Sequence, residues 1–160
     1  MYLVAENEHS GDEVRPLVCV TTPVYNGAAH LEEACIRSVR AQTYRPLVHT
    51  IVDNGSTDAT PELIARYAAE VDYPVIVQRN GVTVRQPENF NCAAAMVPAE
   101  AAYFTVLCAD DTMAPTALEE MMALAATRET ADRASKLRSV AEDGTSLTAK
   151  ILQFFRRSGN

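Results

Sequence analysis

Four short apolar segments separated by helical patterns constrain this chain more than anything else in it. Leu17-Val-Cys-Val-Thr-Thr22, Leu47-Val-His-Thr-Ile-Val52, Pro74-Val-Ile-Val-Gln78 and Tyr103-Phe-Thr-Val-Leu-Cys108 are rich in β-branched residues and close to continuously apolar. That pattern suits parallel strands covered on both faces better than half-exposed alternating ones. Between them, residues 28–42 put Leu31, Cys35, Val39 and Gln42 on one helical stripe. Thr60-Pro61 offers a cap residue and an N1 proline, followed by a buried face of Leu63, Ile64, Tyr67 and Val71. Pro115 opens a third helix carrying Leu118, Met121, Met122 and Ala125. Strands alternating with helices predict an α/β fold built on a doubly wound, mostly parallel sheet. A chain of 160 residues has room for one such domain. Residues 1–15 are expected to form a flexible acidic leader and residues 16–160 the domain.

In open sheets of this kind, ligands bind beyond the carboxyl ends of the strands. The segments found there are Pro23-Val-Tyr-Asn-Gly27, Asp53-Asn-Gly-Ser-Thr-Asp58, Arg79-Asn-Gly81 and the adjacent carboxylates Asp110-Asp111. Taken singly, each is ordinary turn or cap chemistry. Together on one sheet edge they describe a rim suited to a polar, phosphorylated ligand held through a metal.

Charge and cysteine content narrow the function classes. The net charge of −7 argues against nucleic-acid binding, which needs clustered Lys and Arg against phosphates. The last 33 residues differ from the rest, with seven basic and four acidic side chains. No apolar run approaches the roughly 18–20 residues of a membrane helix, and residues 1–15 lack the apolar segment of a signal peptide. Cys19, Cys35, Cys92 and Cys108 have no Cys-x-x-Cys pair or zinc spacing, and each lies in an apolar segment. Four buried, reduced thiols and a cytoplasmic location are the expectation. His30 and His49 have no partner at metal or triad spacing and read as satisfied surface or core residues.

Four motifs then stand in order. They are Val20-Thr-Thr-Pro-Val-Tyr-Asn26, Ser38-Val-Arg-Ala-Gln-Thr-Tyr44, Ile51-Val-Asp-Asn-Gly-Ser-Thr-Asp58 and Leu107-Cys-Ala-Asp-Asp111 with Pro115 after it. In type and spacing this set resembles the inverting family 2 glycosyltransferases, which have the GT-A nucleotide-sugar fold. The likeness runs from about Leu17 to Leu124.

The resemblance implies transfer of a sugar from a nucleotide-diphosphate donor to an acceptor hydroxyl on a glycan, lipid or protein, as in cell-wall or polysaccharide synthesis. It implies that Tyr25 lies against the nucleotide base, that Pro23 and Asn26 shape its turn, and that Asp53 and Asn54 read the base edge. The family often has two aspartates there, so Asn54 is a departure. Asp110 and Asp111 match the carboxylates for the donor ribose and a divalent ion, Mg²⁺ or Mn²⁺, with Asp111 assigned to the metal and Asp110 to the ribose. Where the family has a leading aspartate, this chain has Cys108, which is not expected to ligate because hard cations prefer oxygen. Arg79 or Arg85 is left to pair with the diphosphate. Asn89 and Asn91 read as helix caps or ligand contacts, and Asp58 as a turn cap.

In the family, the acceptor site and general base come from the half of the fold after the metal motif. Residues 136–144 read as a strand and turn, with Glu142-Asp143 a surface turn. Residues 147–155 read as a helix whose Ile151, Leu152, Phe154 and Phe155 beside Lys150, Arg156 and Arg157 also fit a peripheral contact with the inner face of a membrane. The base is therefore expected beyond Asn160. The alternative reading is a non-catalytic nucleotide-sugar-binding module.

Overall fold

The computed structural model describes residues 15–126. Four parallel strands, β1 (Val18–Val24), β2 (Leu47–Asp53), β3 (Val75–Arg79) and β4 (Tyr103–Val106), form one sheet in the order β3-β2-β1-β4. The chain builds outward from β1 through β2 to β3, then crosses back to place β4 on the other side of β1. The crevice at the end of β1 is therefore the point where the strand order reverses.

Every residue of β1 and β2 is buried, as their continuous apolar runs require. The same expectation fails for β3, where Val75 is half-buried and the remaining residues are exposed. Among the described residues β3 is the edge of the sheet, so one side has no neighbour to cover it. β4 is intermediate except for the buried Thr105.

Helices cover both faces. A π-helical stretch, Glu32–Ile36, runs into α1 (Arg37–Arg40). The stripe Leu31, Cys35, Val39 and Gln42 is buried as its spacing demands. It joins the larger core with Ile64 and Tyr67 of α2 (Thr60–Glu70) and Leu118 and Met122 of α4 (Ala117–Ala126). Full burial of a side chain such as Leu31 contributes about 1.5–3 kcal/mol. On the opposite face Cys19 and Val48 pack with Val97 and Ala101, beside α3 (Gln86–Ala95).

Helix starts depart from expectation in two places. Thr60 is the first residue of α2, and Ala59 occupies the cap position without a side-chain bond. Asp58 supplies the missing acceptor, its Oδ1 receiving the Thr60 N–H at 3.0 Å and the Thr60 hydroxyl at 2.6 Å. These bonds hold the exposed carboxyl of Asp58 below the usual carboxylate range. α3 begins at Gln86, with Pro87 in its first turn, so Asn89 and Asn91 lie inside the helix rather than at its cap.

Two of the four cysteines, Cys19 and Cys35, are buried; Cys92 and Cys108 are half-buried, and all four are thiols. Cys108 follows the end of β4 on the rim, where cover is incomplete. The leader, except for Arg15, and the readings of residues 136–155 lie outside the described residues. Arg15 pairs with Glu119 at 2.6 Å and stacks over Tyr44 at 4.1 Å. No helix among the described residues is long and apolar enough to cross a membrane.

Candidate functional site

Strand register decides which side chains meet. Val24 lies opposite Asp53, and Asp53 opposite Arg79, so the ends of β1, β2 and β3 are level. β4 stops opposite Thr21, and Leu107 N–H continues the ladder by donating to Thr21 O at 3.0 Å. Pro23 has the same strand parity as Thr21, so its missing N–H faces the side where β4 has ended and costs no ladder bond.

After Val24 the chain turns sharply. Asn26 has φ of 48°, a left-handed conformation that asparagine tolerates better than most residues. Its N–H donates to Ser56 Oγ at 2.8 Å, and its Oδ1 accepts from Thr57 N–H at 2.8 Å. Gly27 N–H donates to Thr60 Oγ1 at 2.9 Å, and a Cβ at Gly27 would stand 2.5 Å from Val24 Cγ2. The turn is thus fastened to residues 56–60, and Tyr25 is left 51% exposed at its tip.

Asp53 is 2% exposed. Its Oδ1 accepts the Ser56 N–H at 2.9 Å, while its buried Oδ2 has no hydrogen-bond partner and lies 3.6 Å from Arg79 Nε. Arg79 Nη2 donates to Ser56 O at 2.7 Å. Of the two arginines the sequence left open, Arg79 therefore joins this group. Arg85 is highly exposed and pairs with Glu88 at the start of α3, its Nε donating at 2.8 Å. Asn54 is buried, and its amide engages Val84 and Asn80 within the chain.

On the other side of β1, Cys108, Asp110 and Asp111 bring one ligand atom each to within 4.8 Å of one another. The turn that gathers them is closed by Asp111 N–H donating to Cys108 O at 3.1 Å. Two carboxylates suit a hard divalent cation, and Cys108, expected to stand apart, adds a soft donor to the same group. Cys35 lies beneath. Burial pushes its thiol up to about 12, against the lowering by its bond with Thr22, with a further electrostatic rise from Cys108 and Asp111.

Three supporting residues have no obvious role in the sequence. Gln42 Oε1 accepts Leu118 N–H at 3.1 Å, and its Nε2 donates to Ala114 O at 2.7 Å and Ser38 O at 3.0 Å. It thereby brackets the loop between Asp111 and α4. Its signals in the sequence were its place on the stripe with Leu31, Cys35 and Val39 and in the motif Ser38–Tyr44. Ser56 stood in the motif Ile51–Asp58, and Asn80 carried no signal beyond turn composition.

The family model described as glycosyl transferase family 2 matches residues 19–153. The chain belongs to that family. An uncharacterized glycosyltransferase of Rickettsia prowazekii is 33% identical over 107 residues, covering 67% of this chain and 31% of that protein. Glycosyltransferase GlyG of Streptococcus pneumoniae is 29% identical over 110 residues, covering 66% and 34%. The chain spans about a third of the length of these curated relatives. Among solved structures, S. aureus TarS 1–349 in complex with UDP superposes with a TM-score of 0.60 at 22% identity, over 67% of this chain and 31% of that one. The mannosyltransferase PcManGT from Pyrobaculum calidifontis, in complex with GDP-Man and Mn²⁺, does so at 0.57 and 26%, over 64% and 30%. The fold of this family 2 chain is thus the glycosyltransferase GT-A fold, as its motifs imply.

Proposed function

We propose that this family 2 chain binds a nucleotide-diphosphate sugar through a divalent ion and takes part in transfer of the sugar to an acceptor hydroxyl with inversion. The observation that carries this reading is the convergence of Asp110 and Asp111 at the strand-order reversal. Asp53 and Tyr25 across β1 support it. The Asp53 Oδ2, buried beside Arg79 but with no hydrogen-bond partner, is an acceptor left for an N–H on the edge of a base. Tyr25 offers an exposed ring face for stacking, and Arg79 a guanidinium for the diphosphate.

Asp111 and Asp110 are the residues that would hold the ion and the ribose. When bound, the ion neutralises charge that develops on the departing diphosphate. The acceptor oxygen forms a bond to the anomeric carbon as the bond to phosphate oxygen breaks, and the hydroxyl proton passes to a base. With one thiol beside two carboxylates, Mn²⁺ suits the group better than Mg²⁺, which demands near-ideal oxygen coordination. The reading includes a cytoplasmic site of action.

Isothermal titration with UDP, dTDP and GDP, each with Mn²⁺ or Mg²⁺, tests the shared part. Metal-dependent binding of one nucleotide is expected; no binding by any of them overturns the proposal. Donor turnover then separates a transferase from a module that only binds.

A further inference from the structure

We propose that Asn54 is a positioning residue, whose amide latches residues 80–85 over the Asp53 turn and so builds one wall of the donor site without touching the donor. The functional consequence rests on the nucleotide-sugar reading above; the latch itself does not.

The geometry is unusually constrained. Asn54 Oδ1 accepts from Val84 N–H at 2.9 Å, and Asn54 Nδ2 donates to Val84 O at 2.8 Å. A backbone N–H can only donate and a backbone carbonyl can only accept. The orientation of the amide is therefore set by the main chain opposite it. Asn54 Oδ1 also accepts from Asn80 Nδ2 at 2.9 Å, and the same Asn80 nitrogen donates to Asn89 Oδ1 at 3.1 Å. Asn80 N–H donates to Asp53 O at 2.8 Å. Gly55, with φ of 75°, lets the turn pass beneath the segment, where a Cβ would lie 3.3 Å from Thr83 Oγ1. Residues 80–85 are thus tied to β2, to its following turn and to α3.

These bonds explain why an amide stands where the resemblance led us to expect a carboxylate. An ionised aspartate could accept both donors, but it would face the Val84 carbonyl oxygen with no proton between them. Two acceptors at hydrogen-bond distance repel. Protonation restores the missing donor, so an aspartate at 54 would close the latch in acid and loosen it at neutral pH. The charged groups on the elements around this position are Asp53 on β2, Arg79 on β3, and Arg85 and Glu88 at the start of α3. All four are present in the unaltered chain, whose own pH profile is the control.

The test compares the unaltered chain with Asn54→Asp and Asn54→Ala. Nucleotide affinity and hydrogen exchange at the Val84 amide are followed from about pH 8 down to about pH 5, a span that brackets protonation of a shielded aspartate. For Asn54→Asp we expect roughly tenfold weaker nucleotide binding at the upper pH, with faster Val84 exchange, and recovery of both toward the control in acid. Asn54→Ala should be weak and fast-exchanging throughout. Asn80→Ala, which removes one arm and leaves Asn54 in place, should loosen the same segment and keeps the proposal testable if position 54 tolerates no change. Unaltered Val84 exchange in Asn54→Asp overturns the latch. Weak binding with protected Val84 at every pH overturns the positioning role and makes Asn54 a contact residue. If the unaltered chain binds no nucleotide, the functional reading fails while the exchange data still decide the latch.

Discussion

The two sides of the crevice at the end of β1 are built differently. On the β2–β3 side, Asn26, Asp53, Asn54, Ser56, Asn80 and Arg79 are bound to each other or to main chain, and little is left to move. On the β4 side, three ligating groups gather in one short turn, with Asp110 exposed and Asp111 half-buried. That turn is steadied from behind through Gln42. The difference suits two tasks. A flat base is recognised by a rigid wall placed in advance, whereas a cation needs carboxylates that water and ligand can reach.

The comparison can be broken most sharply at Asp111. Asp111→Ala should lower metal-dependent nucleotide affinity by a hundredfold or more, roughly the loss of one charge-bearing ligand. Weak metal-independent binding through the Asp53 side should survive, and calorimetry with and without Mn²⁺ distinguishes the two. If both vanish together, the sides are not separable.

Gln42→Ala tests the support from behind. It leaves Leu118 N–H and Ala114 O without their partner, and should cost about 1–3 kcal/mol in denaturant unfolding. Manganese affinity should fall more than metal-independent nucleotide affinity. An equal loss of both would assign Gln42 to overall stability only.

A third prediction concerns a buried polar chain that links β1, β2 and α2. Thr22 Oγ1 meets His49 Nε2 at 2.9 Å, His49 Nδ1 meets the Tyr67 hydroxyl at 2.8 Å, and Tyr67 meets Tyr73 at 2.8 Å. Burial lowers the His49 pKa from 6.5 to about 3, and raises that of Tyr67. The folded chain refuses a proton that the unfolded chain accepts below about pH 6.5. Stability from this group is therefore full above that pH and falls as pH drops toward 3, by at most about 1.4 kcal/mol per pH unit. Urea midpoints measured against pH should show that decline, and His49→Gln should flatten it.

The smallest effect is expected at Cys108. Cys108→Asp gives the group a third carboxylate and should raise Mg²⁺ affinity several-fold relative to Mn²⁺, as hard oxygen replaces sulfur. An unchanged metal preference would mean that the sulfur does not reach the ion.

Much of the fold was legible because it depends on local regularity. The continuous runs of β1 and β2 and the stripe Leu31, Cys35, Val39 and Gln42 are periodic features of contiguous residues, and both are buried as expected. The candidate residues were gathered by their place after the strands' carboxyl ends, while the strand-order reversal among them came from the structure. Exposure of β3 was not legible, because an edge strand and a central one can share the same composition. Helix starts were misplaced by a residue or more at Thr60 and Asn89, where Asp58 and Pro87 compete with them for the first turn.

The sequence by itself determined the family, the strands and the residue types at their carboxyl ends, since each of these resides in short motifs. Only the tertiary structure decided that Arg79 rather than Arg85 meets Asp53, that Cys108 joins the carboxylates, and that the Asn54 amide holds Val84. The first turns on strand register, the second on the conformation of one short turn, and the third on bonds between residues 26 and 30 positions apart. A side chain's composition states which bonds it can make; the packed backbone selects which of them it does make.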